Sequence, residues 1–257
     1  MCNSEKALKV LEIINEFDSI DSNWEFRNDL SVLKEDKKSE FKKLFNFCDS
    51  INSVREYKGK SQADTTRLKG KALEKLTRFM FKHTGGLFDV YENLGTNTNE
   101  IDLFLKFSNK GKSLKGCIGN QYNKIICECK NHKTQIGVTY IGKFYTLVEC
   151  SKIKIGLMVS WKGIGGEEWK DGVGLTKKIF LLKERLEDRV YILDFNRKDF
   201  EQILNGRPLI KILDEKCDEL QLSVDFSKYF DKHPNQEELE AKKVLYYKYR
   251  NIEFLRS

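Results

Sequence analysis

The tripeptide Glu128-Cys129-Lys130 closes segment 124–130, which otherwise has the apolar character of a buried strand. Side chains alternate between the two faces of a strand, so Glu128 and Lys130 point one way while Cys127 and Cys129 point the other. A carboxylate and an ammonium group on the apolar side of a sheet are costly unless something uses them. The segment therefore predicts a sheet that carries a polar, functional site at the end of one strand.

Two further acids lie upstream of this strand. In segment 100–107 an apolar residue occupies every second position, and Asp102 lies on the opposite face, as Glu128 does on its strand. Glu74 lies in a segment with helical spacing of its apolar residues. Three acids and one lysine, on one helix and two strands, predict a magnesium-dependent site for phosphodiester hydrolysis. The alternative is a buried ion-pair network, which would leave negative charge unpaired in a core.

The chemistry of phosphodiester hydrolysis explains why these residue types are needed. A hard cation must neutralise the phosphate, and Mg²⁺ prefers carboxylate, carbonyl and water oxygens as ligands. Asp102 and Glu128 supply carboxylates if their strands are neighbours. Lys130 is then placed to contact the attacking water and the scissile phosphate, and a nearby cation favours the hydroxide form of that water.

The order of the remaining segments predicts a mixed α/β sheet with helices on its faces. Helices are expected at 5–17, 30–51, 65–83 (with Asp64 or Thr65 as the cap), 138–150, 171–186, 199–204 and 236–250. Strands are expected at 87–93, 100–107, 124–130, 153–160 and 189–195, and a loop at 108–123. We expect a helical N-terminal extension over 1–60, a catalytic core over 61–206 and a mixed C-terminal extension over 207–257.

Composition narrows the class of partner only mildly. The chain has 257 residues, 40% of them hydrophobic, and a formal net charge of +7. That charge suits a polyanionic partner such as nucleic acid. Basic residues are concentrated between Arg55 and Lys82, where only Glu56, Asp64 and Glu74 oppose them. This stretch is either a surface that contacts phosphate or a solvated helix face.

The seven cysteines include no CxxC pair, and there are only three histidines, so a zinc site is not expected. Reduced, mostly buried thiols are typical of a cytoplasmic protein. No apolar run approaches the ~18 residues of a membrane span, and no secretory signal is recognisable. We therefore expect a cytoplasmic protein that does not contact a membrane.

These segments resemble the PD-(D/E)xK nuclease superfamily and, within it, the Mrr-type restriction endonucleases. The resemblance covers about residues 64–206 and rests on three stretches, 69–74, 99–102 and 127–131. It implies a restriction-endonuclease-like α/β fold. The proline that often precedes the strand aspartate in this superfamily is replaced by Ile101.

The resemblance also implies a role for each matching residue. Asp102 and Glu128 would bind the metal together with the backbone carbonyl of Cys129, and Lys130 would position and activate the water. Glu74 would reach the site from its helix and hold a metal-bound water or a second ion. The implied cofactor is Mg²⁺, with Mn²⁺ as a substitute.

Polar residues near the expected site are candidates for contacts with DNA. Each has an alternative as part of a polar loop, a solvated helix face or a packed segment. The candidates are Lys69, Lys71, Asn131, Lys133, Ser160 and Lys162.

The function expected from the sequence is that of a Mg²⁺-dependent DNA endonuclease in restriction or defence against foreign DNA. Because cutting both strands of a duplex usually takes two active sites, we expect a homodimer. Two alternatives stay open at this point. One is a repair or recombination nuclease of the junction-resolvase type, and the other is a non-catalytic DNA-binding subunit, which would bind DNA without metal-dependent cleavage.

Overall fold

The computed structural model describes residues 8–9, 29–95, 100–113, 119–166 and 170–222. The helix expected at 236–250 lies outside the described residues, as does nearly all of the helix expected at 5–17. None of the helices in the described ranges is both long and apolar enough to cross a membrane.

The architecture is a five-stranded mixed sheet flanked by helices. The strands are β1 (Phe88–Gly95), β2 (Glu100–Phe107), β3 (Lys124–Cys129), β4 (Ile155–Val159) and β5 (Tyr191–Phe195), and they lie in that order. The helices are α1 (Glu35–Asn52), α2 (Gln62–His83), α3 (Asn109–Ser113), α4 (Val138–Cys150), α5 (Gly172–Leu181), α6 (Arg197–Leu204) and α7 (Leu209–Leu222). Pairing is antiparallel from β1 to β3 and parallel from β3 to β5.

This sheet confirms the mixed α/β fold expected from the sequence. The bounds of β2 and α4 agree with the predicted ones to the residue. The parallel half follows from the chain order, because α4 connects β3 to β4 and α5 connects β4 to β5, as parallel neighbours require.

Several predicted boundaries were wrong. The helix expected from residue 30 begins at Glu35, because Leu33 first forms a bridge with Thr84. The expected loop 108–123 contains α3 and a 3₁₀ turn, Asn120–Asn123. The helix expected to reach residue 186 ends at Leu181.

Helix α2 begins and ends at residues suited to its termini. Its N-cap is Ser61, whose hydroxyl accepts a hydrogen bond from the backbone N–H of Asp64 at 3.1 Å, so the predicted cap at Asp64 or Thr65 was wrong by one turn. After the C-cap Thr84, Gly85 has φ = +70°, and a Cβ there would lie 1.6 Å from the carbonyl oxygen of Leu30. Glycine therefore lets the chain leave α2 close beside the segment that precedes α1.

Apolar layers cover both faces of the sheet. One layer packs α4 and α5 on the sheet, and its buried members include Ile126, Phe144, Val148, Met158 and Ile192. Gly156 lets α4 approach closely, since a Cβ there would lie 2.7 Å from a methyl carbon of Val148. On the opposite face α2 buries Leu73, Leu76 and Thr77, and Thr77 contacts the end of β3.

Helix α7 continues the packed structure past residue 206. The hydroxyl of Tyr122 donates to Asp214 at 2.5 Å, and the backbone N–H of Leu209 donates to the carbonyl of Ser31 at 3.0 Å. Helix α1 is tied to α6, where Arg197 pairs with Asp49 at 2.8 Å. The described parts of both predicted extensions therefore contact the sheet-bearing part of the chain. The division at residues 60 and 206 stays a prediction.

Candidate active site

The end of β3 carries a close ion pair. Lys130 Nζ lies 2.7 Å from Glu128 Oε1, and the two side chains are 34% and 16% exposed. Both line a cleft of about 250 Å³ on the α4 side of the sheet, which we call the strand-end cleft. Its other lining residues are Tyr140, Lys143, Phe144, Leu147 and Met158. Lys130 directly follows β3, and its side chain lies on the same side of the sheet as that of Glu128, as their spacing predicts.

Asp102 reaches the same strand end from β2. The antiparallel register pairs Leu103 with Cys127, which places Asp102 next to Glu128 on the neighbouring strand. The Asp102 carboxylate oxygen Oδ2 accepts a hydrogen bond from the backbone N–H of Cys129 at 2.7 Å. Burial raises the pKa of the Cys129 thiol well above its ordinary value, and the negative charge of Asp102 raises it further. The aspartate charge therefore acts directly on the end of β3.

Lys130 is held in its charged form. Burial alone would lower the pKa of Lys130, but the hydrogen bond and the charge of Glu128 outweigh it. The charge of Asp102 adds to the same effect, so the pKa lies above the ordinary lysine value. The group therefore acts as a cation and a proton donor in hydrogen bonds, and not as a general base near neutral pH.

Glu74 approaches from the opposite side. It lies on α2 one turn before Thr77, whose hydroxyl is 3.9 Å from the Cys129 sulfur. The charge of Glu74 contributes to the raised pKa of the Cys129 thiol. The Glu74 carboxylate is therefore close enough for its charge to act on Cys129, the residue whose backbone N–H donates to Asp102. The structure brings Asp102, Glu128, Cys129 and Lys130 together at the end of β3, with Glu74 near Cys129.

The donor atoms at this strand end suit a magnesium ion. In the described ranges no group of three or more His, Cys, Asp or Glu residues is arranged as a metal site. Mg²⁺ does not need such a group, because it keeps several waters and is commonly bound by one or two carboxylates. The carboxylates of Asp102 and Glu128 and the peptide carbonyl of Cys129 are all hard oxygen donors. The residues present therefore fit the metal that the resemblance implies.

Most of the candidates for DNA contact converge on a second, larger cleft. Its volume is about 600 Å³, and we call it the basic cleft. It is lined by Asn52, Ser53, Val54, Arg55, Gln62, Thr66, Lys69, Asn131, His132, Lys133 and Lys162. Four of the six predicted DNA contacts, Lys69, Asn131, Lys133 and Lys162, are among these residues.

The other two candidates lie elsewhere. Lys71 is exposed on α2 but does not line the basic cleft. Ser160 is only 2% exposed, and its backbone N–H donates to Phe195 at 2.9 Å. Its neighbour Trp161 is buried against Phe45 and Phe200. The structure therefore does not place the Ser160 side chain on a surface that DNA could reach.

Sequence reasoning missed several residues that line the two clefts. Tyr140 and Lys143 line the strand-end cleft from α4, and only the helical periodicity of that segment could have indicated which face they share. Arg55, Gln62 and Thr66 line the basic cleft. Arg55 belongs to the basic stretch noted in the sequence, whereas nothing local distinguishes Gln62 or Thr66 from other exposed residues of a helix.

The five-stranded mixed sheet and its flanking helices are consistent with a restriction-endonuclease-like fold. Comparison with known families agrees with this fold class, because residues 65–184 match the model of the Mrr catalytic domain, described as a restriction endonuclease. The matched part is slightly less than half of the chain, and it is similar to the catalytic domain of this family. Comparisons with curated proteins and with solved structures give no match.

Proposed function

We propose that the chain is a Mg²⁺-dependent endonuclease that hydrolyses phosphodiester bonds of double-stranded DNA. One observation supports this proposal above all. Asp102, Glu128 and Lys130 lie close together at the end of β3, within the segment that matches the family. An ordinary α/β protein has no structural need for two carboxylates and a charged lysine at that place, since burying them costs free energy.

Each residue of the proposed site has its own role in this reaction. Asp102, Glu128 and the Cys129 carbonyl hold the metal, and Glu74 orients a water molecule or a second ion from the α2 side. When bound, Mg²⁺ neutralises phosphate charge and lowers the pKa of a coordinated water. Lys130 keeps its proton and donates hydrogen bonds to the scissile phosphate and to the attacking water. Mn²⁺ can replace Mg²⁺, because both ions accept the same oxygen ligands.

The substrate assignment rests on charge. The basic cleft has Arg55, Lys69, Lys133 and Lys162 in its lining, and these cations suit a phosphate backbone. One active site cuts one strand, so cleavage of both strands calls for two copies of the chain acting as a homodimer. The family description points to restriction, that is, to defence against foreign DNA, and a cytoplasmic location follows from that role.

Digestion of a supercoiled plasmid tests the proposal directly. We expect nicked and linear products with Mg²⁺ or Mn²⁺ and none after the metal is removed with EDTA, and restored cleavage when Mg²⁺ is added back in excess. The Lys130→Ala variant, purified in the same way, controls for contaminating nucleases. Tight, salt-dependent binding without metal-dependent cleavage would instead identify a non-catalytic subunit, and cleavage confined to branched DNA would identify a junction resolvase.

A further inference from the structure

Two residues that line the basic cleft have buried side-chain atoms without a hydrogen-bond partner among the described residues. Asn131 is 8% exposed, and its side-chain Nδ2 donates to the backbone carbonyl of Lys69 at 2.9 Å. A carbonyl can only accept, so this contact defines which end of the amide is the oxygen. That oxygen, Asn131 Oδ1, is buried and has no hydrogen-bond partner within the described structure.

The next residue in the chain has a second buried polar atom without a hydrogen-bond partner in the described part of the chain. His132 Nε2 is also buried and lacks a partner among the residues that the structure describes. Buried polar atoms without partners are rare, because each one loses its hydrogen bonds to water and gains none in return. Two of them on adjacent residues of one cleft point to a ligand that supplies the missing hydrogen bonds, including at least one N–H or O–H donor for Asn131 Oδ1.

The charges at the rim of the cleft favour a ligand that carries negative charge. Four lining residues are cationic, and no Asp or Glu is among the lining residues that the structure describes. Lys69 Nζ donates to the carbonyl of Val54 at 2.7 Å. Burial lowers the pKa of Lys69, and the charge of Lys162 lowers it further. Two cations of the rim therefore repel each other, and an anion between them would relieve that repulsion.

The basic cleft and the strand-end cleft are neighbours. Asn131 and His132 directly follow Lys130 in the chain. The His132 ring lies 4.7 Å, centroid to centroid, from the ring of Tyr140, and each ring lines a different cleft. A ligand in the basic cleft therefore lies next to the place where the scissile phosphate is expected.

We propose that the basic cleft receives one unstacked nucleotide of the substrate strand, next to the scissile phosphate. Its phosphate lies against Lys69 and Lys162, and an N–H group on the edge of its base donates to Asn131 Oδ1. A backbone phosphate alone has no proton to donate and would leave Asn131 Oδ1 unsatisfied. The cleft volume of about 600 Å³ lies within the roughly 300–1,000 Å³ typical of small-molecule sites. This inference rests on the proposed function, because it names the form in which DNA binds.

Fluorescence of 2-aminopurine tests the proposal, because this base brightens when it leaves the base stack. A series of duplexes carries one 2-aminopurine at successive positions, and each is mixed with Lys130→Ala protein and Mg²⁺, which allows binding without cleavage. We expect a fluorescence rise at one position, or at a symmetric pair of positions. Adding Asn131→Leu should abolish the rise and weaken binding about tenfold.

Two further variants distinguish an effect of the basic cleft from the general effect of losing one positive charge. Lys162→Ala alters an exposed side chain on the rim, so it tests the cleft without disturbing folding, and it should reduce both the fluorescence rise and the affinity. Lys124→Ala removes the same charge from the exposed start of β3, away from the cleft, and should leave both unchanged. Circular dichroism and thermal melting check that each variant is folded.

The possible results distinguish this inference from the proposed function. Tight binding with no fluorescence rise at any position would show that the duplex stays stacked, and would overturn the inference while leaving the nuclease intact. A rise that survives both Asn131→Leu and Lys162→Ala would place the nucleotide elsewhere. Binding of free deoxynucleoside monophosphates that depends on Asn131, without a rise in any duplex, would make the cleft an effector site. A chain that binds no DNA would end both proposals.

Discussion

The Asp102 carboxylate accepts a hydrogen bond from the backbone N–H of Cys129 across the β2–β3 pair, at 2.7 Å. This contact joins an acid of one strand to the peptide that lies between Glu128 and Lys130 on the next strand. A charged acceptor makes the bond stronger than a neutral one. The position of the acid therefore depends on the pairing of the two strands, and so does the position of the Cys129 carbonyl that we assign to the metal.

Replacing Lys130 with alanine should reduce cleavage by at least about a hundredfold, the usual effect of removing a preorganised donor from a developing charge. DNA affinity should change little, because the basic cleft remains. The measurement is single-turnover cleavage, paired with a binding titration in which cleavage is blocked. Because the Glu128–Lys130 pair is partly exposed, its loss should lower the free energy of unfolding by at most about 1 kcal/mol.

Lys124→Ala is the matched control, since it removes a lysine from the exposed end of the same strand. Its cleavage rate should equal that of the wild type. If Lys130→Ala cuts DNA at the wild-type rate, the assignment of the lysine is wrong.

Replacing Asp102 with asparagine should remove metal binding while preserving the fold. The amide oxygen can still accept the hydrogen bond from Cys129, but the charge that holds a divalent cation is gone. Calorimetric titration with Mg²⁺ and a thermal melt without metal separate the two effects. Asp89→Asn, an exposed acid on β1, provides the control for loss of one charge. Undiminished Mg²⁺ affinity in Asp102→Asn would exclude this residue as a ligand.

Replacing Glu74 with glutamine should reduce the cleavage rate without abolishing it. Glu74 acts on the site from α2 through its charge near Cys129, and outer partners of a metal site usually contribute 10- to 100-fold in affinity or activity. We expect cleavage to fall within about that range and to recover partly at higher Mg²⁺ concentration. A dose–response curve in Mg²⁺ measures this recovery. Loss as complete as that of Asp102→Asn, with no rescue, would instead make Glu74 a direct ligand.

Asp194 should make stability depend on pH in a defined direction. Burial raises the pKa of this carboxyl, although hydrogen bonds from Asn196 and from the backbone of Ile164 and the charge of Lys216 favour its ionised form. The folded state therefore holds the proton to higher pH than the unfolded state, whose pKa is about 3.9. Relative to Asp194→Asn, the wild type should lose unfolding free energy as pH rises from about 3.9 to the folded pKa, by at most about 1.4 kcal/mol per pH unit.

Urea unfolding of both proteins at a series of pH values measures this difference. Because Asp194 anchors the loop that carries Lys162, DNA affinity gives a second readout that reports on the basic cleft. A stability difference that does not change between pH 4 and pH 7, or that grows with pH, would contradict the raised pKa.

Local patterns of the chain were enough to place the central elements. The alternation of apolar residues located β2 and the faces of β3, and helical spacing located α4, because these periods follow from backbone geometry within one segment. The same alternation indicated that Glu128 and Lys130 share a face. Boundaries such as the start of α1 were less predictable, because the bridge between Leu33 and Thr84 depends on residues far apart in the chain.

The residue types and faces of the proposed active site can thus be read from the sequence, since they depend only on neighbours along the chain. The register that brings Asp102 to Cys129 and the packing that brings Lys69, Asn131 and Lys162 into one cleft depend on contacts between distant segments. Such contacts form only where the whole sheet and its helices bury their apolar faces together, and no single segment contains that information.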